Sequence, residues 1–138
     1  MFDECLYFNT TLLARQLDRE WTVAFKPFDL TPPQGFMLRA VLRNPGLLQH
    51  ELADRLDIAR PTATRAIDGL VKKGLIERRS TEADKRECAI YATPDAEAMQ
   101  AALDAASGSV TARLKQLLGD GHFRDVVKQV KGVHAALK

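Results

Sequence analysis

The chain has 138 residues, 46% apolar and 28% charged, with a formal net charge of +2. That length fits one compact domain or a small domain with helical extensions, and the balance argues against disorder, collagen or a coiled-coil rod. No run approaches the roughly 18–20 apolar residues of a bilayer span, Met1-Phe2-Asp3-Glu4 is acidic where a secretory signal is basic, and Cys5 and Cys88 lack any C-x-x-C spacing. A cytoplasmic location with no membrane partner is the expectation.

Leu6, Leu13, Leu17, Trp21, Ala24 and Phe28 recur at helical spacing, so residues 6–28 predict a first helix, interrupted at Pro27 and the Asp29–Pro33 run. Thr31, Pro32 and Gln34 form a T-x-x-Q capping box that opens a second helix. Its predicted buried face is Phe36, Met37, Ala40 and Val41, and Asn44-Pro45-Gly46 stops it. A short third helix runs from Leu48 to Leu56 and buries Leu48, Leu52 and Leu56. Asp57–Arg60 makes a turn, and Pro61 sits at the first position of a fourth helix whose stripe is Ala63, Ala66, Ile67, Leu70 and Val71. Gly74 caps that helix after Lys72 and Lys73, whose charges suit the negative end of its dipole.

The period then changes. Leu75–Arg79 and Glu87–Ala92 read as two strands joined by the charged loop Ser80–Arg86. Thr93 and Pro94 open an alanine-rich helix to about Leu118, and Gly119-Asp120-Gly121 separates it from a last helix carrying Phe123, Val126, Val127, Val130, Val133 and Leu137.

Two short helices joined by a tight turn and followed by a hairpin make a winged helix-turn-helix. The expected fold is therefore mainly α with a small β-hairpin wing. A major groove about 12 Å wide admits one helix, which needs an apolar inner face and a polar outer one. With Ala63, Ile67 and Leu70 inward, Pro61, Arg65, Asp68 and Lys72 fall outside, and Thr62 and Thr64 on the flanks. Arg65 suits bidentate contact with guanine, and the threonines suit thymine methyls or phosphates. Residues 60–86 hold eight Lys/Arg against four Asp/Glu, so this window carries +4 and the remainder −2. Arg78 and the run Asp84-Lys85-Arg86 place cations on the wing, where a guanidinium can enter the minor groove and Asp84 can steady it.

The runs Leu30-Thr31-Pro32-Pro33-Gln34, Leu48–Ala53, Pro61–Leu70, Gly74–Arg78 and Asp84-Lys85-Arg86 resemble the MarR family of bacterial transcriptional regulators. The resemblance implies a homodimer with interlocking N- and C-terminal helices and two winged lobes on successive major grooves of a pseudo-palindrome. It also implies a repressor whose release is driven by a signal read where the two regions meet, such as a small aromatic or phenolic ligand. Carried over by position, Pro61, Thr62, Thr64 and Arg65 face bases and phosphates, Arg78 supports the wing, and Asp84 and Arg86 form its tip; Gln49 and Lys85 join the DNA-facing set. Leu48 departs from the family's Ser or Thr cap, which removes a phosphate contact and about 1 kcal/mol of helix stability.

The expected organisation is a dimerisation helix in 1–30, a DNA-binding lobe in 31–93 and dimerisation helices in 94–138. The apolar stripes of the first and last helices, with Leu6, Leu13, Leu17, Phe123, Val126, Val130 and Val133, exceed what a lobe of about 60 residues can cover, which supports pairing independently. Cys5 resembles the sensing thiol of the family's peroxide-responsive branch, although Asn9 stands where that branch carries Tyr; the plain alternative is a buried Cys5, and Cys88 fits core packing. His50, His122 and His134 show no ligand spacing, so no metal or cofactor is expected, and no nucleophile elbow, phosphate loop or carboxylate pair suggests an enzyme. A winged-helix protein-interaction module that never touches DNA remains the alternative from another class.

Overall fold

The computed structural model describes residues 1–81 and 87–138. The expected tip residues Asp84, Lys85 and Arg86 lie outside the described residues.

Helix α1 spans Leu6–Phe25, three residues short of its predicted end. Pro27 has no N–H to continue the ladder, so the chain tightens into a 3-10 turn at Lys26–Phe28 and leaves it through Asp29 at φ +56°. The inward anchor is consequently Phe25, fully buried and edge-on to Phe36, whereas Phe28 is only half-buried.

Helix α2 (Pro32–Arg43) opens on the expected capping box: Thr31 Oγ1 accepts from the Gln34 N–H at 3.3 Å, and Gln34 Oε1 from the Thr31 N–H at 3.2 Å. Its buried residues are Met37, Leu38 and Val41, with Phe36 on the exposed flank instead of the predicted core. Helix α3 (Gln49–Leu56) and helix α4 (Arg60–Lys72) are joined by Asp57-Ile58-Ala59, with Asp57 left-handed at φ +52°. Arg60 belongs to α4, so Pro61 is the second helical residue and not the first. Ala63, Ala66, Ile67 and Leu70 are buried as predicted, while Val71 is exposed.

Leu48 has no side-chain acceptor for the first turn of α3, but Glu51 supplies half of a capping box by accepting from the Leu48 N–H at 3.0 Å. The backbone before α3 is also pinned to the wing. Leu48 bridges Ala89, Leu47 O accepts from the Ile90 N–H at 2.9 Å, and Ile90 O accepts from the Gly46 N–H at 2.9 Å. This added edge on the wing was absent from the sequence reading.

Strands β1 (Ile76–Ser80) and β2 (Cys88–Ala92) pair antiparallel, Ile76 opposite Ala92 and Ser80 opposite Cys88. Each begins one residue later than predicted, β1 because Leu75 is still closing α4: its N–H bonds Leu70 O at 3.0 Å around Gly74, which takes φ +73°. Thr93 then ties the start of helix α5 (Pro94–Leu118) to the same spot, its Oγ1 donating to Gly74 O at 2.8 Å. Gly119, at φ +86°, alone breaks the chain before helix α6 (Asp120–Ala136).

One apolar core runs through the lobe and into the base of the long helices, joining Phe25, Leu38, Leu52, Ile67, Ile90 and Leu103. Helix α6 contributes no buried residue to it.

Candidate nucleic-acid interface

The helix-turn-helix positions α4 by burying its alanine-and-aliphatic side. Pro61, Arg65, Asp68 and Lys72 are all exposed on the opposite side, with Thr62 and Thr64 half-buried at the flanks, as the helical spacing predicts. Arg65 makes one long contact, Nη2 to Thr62 Oγ1 at 3.4 Å, and among the described residues it has no carboxylate partner.

Three other predicted contacts are bonded to one another. Gln49, on α3, donates from Nε2 to Thr64 Oγ1 at 2.9 Å and accepts at Oε1 from Arg78 Nε at 3.3 Å. Thr64 passes its own proton to Arg60 O at 2.9 Å. Arg78 Nη2 forms an ion pair with Asp68. Sequence reasoning found Gln49, Thr64 and Arg78 but not that they form one cluster, and it placed Asp68, the carboxylate that anchors it, on the exposed side of α4 without giving it a role.

The basic window is also less available than its charge count suggests. Lys73 Nζ is bonded to Asp29 O and to Gln34 Oε1, the latter at 3.1 Å, so it braces the start of α2. Arg79 pairs with Glu77 and lies 4.0 Å from the centroid of the Tyr91 ring. With Arg78 also paired, Arg60, Arg65 and Lys72 are the described cations of this window without a carboxylate partner. A depression of about 300 Å³ between α3, α4 and β2 is lined by Gln49, His50, Arg60, Thr64, Glu87 and Cys88.

The lobe meets the long helices at a polar joint. Ser107 Oγ, on α5, accepts from Trp21 Nε1 of α1 at 3.0 Å and from Arg39 Nη1 of α2 at 3.0 Å, while Arg39 Nε donates to Asp104 Oδ1 at 2.8 Å. The sequence reading passed over this joint; Asp104 and Ser107, one turn apart among alanines, were its only trace.

The residues predicted to dimerise lie on α1 and α6. Leu6, Leu13, Val130 and Val133 are exposed, Leu17, Phe123 and Val126 half-buried, and a groove of about 830 Å³ runs between the two helices. Cys5 is exposed at the N-cap of α1, where its Sγ accepts from the Phe8 N–H at 3.5 Å, and Asn9 donates to the carbonyls of Phe2, Asp3 and Cys5. Cys88 is half-buried on β2. Among the described residues no helix is long and apolar enough to cross a membrane, and no group of three His, Cys, Asp or Glu is placed to hold a metal ion.

A helix-turn-helix backed by a hairpin, with the second helix's polar side open, defines a winged-helix protein. Residues 28–87 match the model of the MarR family. The chain is 35% identical over 82 residues, 59% of its length and 55% of the relative's, to the uncharacterized HTH-type transcriptional regulator YybA of Bacillus subtilis (strain 168). It superposes on the transcriptional regulator SlyA with a TM-score of 0.85 and 25% identity, covering 96% of this chain and 94% of that one. On the transcriptional repressor CouR, bound to a 23-mer DNA duplex, the TM-score is 0.82 with 26% identity, covering 95% and 93%. Residues 28–87 therefore resemble the MarR family, and the whole chain shares its fold with these regulators. It spans about half the length of the curated relatives it matches.

Proposed function

We propose that the protein is a cytoplasmic, homodimeric, sequence-specific DNA-binding transcriptional regulator. It acts as a repressor on a pseudo-palindromic operator and is released by a small aromatic or phenolic ligand. The observation that carries this reading is the exposed side of α4, where Arg65 stands, among the described residues, without a carboxylate partner above a buried apolar side. The CouR likeness supports it, because that repressor is bound to duplex DNA over a fold covering 95% of this chain.

Pairing is supported by the exposed Leu6, Val130 and Val133 along the α1–α6 groove, apolar area that a second copy would remove from water. Two lobes held this way would reach major grooves about 34 Å apart, a spacing that small changes in the helical frame disrupt. A ligand acts on that spacing only through unequal affinity for two dimer states. The cleft of about 550 Å³ lined by Thr22, Lys26, Leu30, Pro32 and Lys73, where α1 meets the lobe, is suitably placed for one.

Selection of binding sites from random duplexes tests the reading. The expected product is a two-fold site with half-sites about 10 base pairs apart, bound with a steep loss of affinity in salt. Enrichment of no sequence would refute it. A screen of phenolic and aryl carboxylic acids for release from the selected duplex tests the ligand.

A further inference from the structure

We propose that Asp68 and Gln49 are positioning residues that hold Arg78 off the phosphate backbone and fix the wing against the recognition helix, so that Arg78 acts on DNA through geometry and not by contact. This inference rests on the DNA-binding function proposed for α4.

Thr64 and Asp68 are four residues apart and so lie one above the other on the same side of α4. Arg78 reaches them from β1 and Gln49 from α3, which joins three elements at one point. The direction of every bond is settled by chemistry. A guanidinium only donates, so the amide oxygen of Gln49 must face Arg78 and its NH2 must face Thr64, whose hydroxyl proton then goes to Arg60 O. Turning the amide over would set an NH2 group against a cation. The relay therefore has one arrangement, and it fixes the pitch of β1 relative to α4.

Charge points the same way. Asp68 cancels Arg78, and a neutralised pair has no cation with which to displace a counterion from a phosphate. The pair is partly exposed, with side-chain exposures of 29% for Arg78 and 58% for Asp68, so its value lies in placement more than in stability. A carboxylate beside Arg65 on a surface meant for a polyanion is otherwise hard to account for; as the anchor of the relay it has a purpose.

The full chain is titrated against its selected duplex and a random duplex across a series of salt concentrations, with melting curves recorded for each variant. For the double variant Asp68→Asn/Arg78→Ala, which removes the pair without uncovering either charge, the expected result is an unchanged log–log salt slope and a ratio of selected to random affinity lower by about tenfold, the discrimination of one well-placed base contact. Asp68→Asn alone should change the slope. It frees the guanidinium, so random-duplex affinity rises, the slope steepens by about 0.9, and the ratio falls. Arg78→Lys keeps the charge but not the fork, and should lose the ratio as the double variant does; this variant carries the test if the double variant does not fold.

A slope shallower by about 0.9 in the double variant would make Arg78 a phosphate ligand and overturn the proposal. So would an Asp68→Asn variant indistinguishable from the parent. If the parent chain itself shows no preference between the duplexes, the DNA-binding function fails and the positioning role goes with it; the other two outcomes leave that function standing.

Discussion

The imidazole of His134, near the end of α6, lies 2.7 Å from the carboxylate of Asp57 in the turn between α3 and α4. Lys138 Nζ reaches the same oxygen at 3.1 Å. The last helix is thus fastened by charge to the turn that leads into α4. Hydrogen bonds from Lys138 and then from His134 hold the Asp57 carboxyl below the usual range near pKa 3.9. A carboxyl depressed in the folded state contributes stability above its unfolded pKa and loses it as pH falls through the folded value. Asp57→Asn should therefore flatten the decline of Tm between about pH 5 and pH 2 relative to the parent. Parallel melting curves that coincide in slope would show that the contact does not contribute.

The joint at Ser107 gives a second prediction. Ser107→Ala leaves the Trp21 Nε1–H and one Arg39 N–H without their acceptor in a partly buried site, a loss of about 1–3 kcal/mol in urea unfolding. Trp21 is the only tryptophan in the chain, so its emission reports the joint directly. The variant should change the emission maximum in the folded state. An unchanged spectrum with full stability would mean that solvent replaces the hydroxyl without cost.

What could be read from the sequence divides along physical lines. Helix starts were legible because Thr31, Pro32, Thr93 and Pro94 act within three or four residues of themselves, and the α4 stripe because alanines and aliphatics alternate cleanly with Arg65, Asp68 and Lys72. Helix α2 defeated the same method. Phe36, Met37, Leu38, Ala40, Val41 and Leu42 surround nearly the whole helix, so periodicity cannot choose an arc, and contacts with α4, α5 and β2 made the choice instead. The polar relay was invisible for another reason. Gln49 and Arg78 are 29 residues apart and Trp21 and Ser107 are 86 apart, and no local pattern records such pairings. A count of charge in residues 60–86 likewise does not reveal that Lys73, Arg78 and Arg79 each already has a partner within the protein.

Gly35 lies where α2 crosses the end of α1, and a Cβ there would stand 2.3 Å from Phe25 Cε2. Phe25 is fully buried and edge-on to Phe36 at 5.7 Å between ring centroids, so the ring has little room to give. Gly35→Ala gains helix propensity of about 1 kcal/mol, yet the overpacking costs about 1–3 kcal/mol. Net destabilisation in denaturant is expected. A more stable variant would show that the α1–α2 crossing is looser than these distances imply.

Val130 and Val133 project from α6 into the groove beside Leu6, exposed in the single chain. Val130→Asp places a charge where a second copy would cover it, and an unpaired buried charge opposes association strongly. Light scattering should give about twice the chain mass of 15.3 kDa for the parent and a single chain for the variant. Helical content should stay near that of the parent at low temperature, because Val130 lies outside the lobe core. A parent that is monomeric at micromolar concentration would rule out the paired arrangement.

Arg65 and Arg60 are both exposed and, among the described residues, without a carboxylate partner, but they stand at different places on α4. Arg60 is the first helical residue, where a bound duplex would bring its backbone past, and Arg65 lies about a turn and a half further on, where it would face the groove floor. Arg65→Ala should lower affinity for the selected site by about 1–3 kcal/mol and relax preference at one base pair. Arg60→Ala should weaken selected and random duplexes alike and reduce the salt slope by about 0.9. The two substitutions separate base contact from phosphate contact in a single titration series. Identical behaviour of the variants on both duplexes would mean that α4 sits on the duplex without entering the groove.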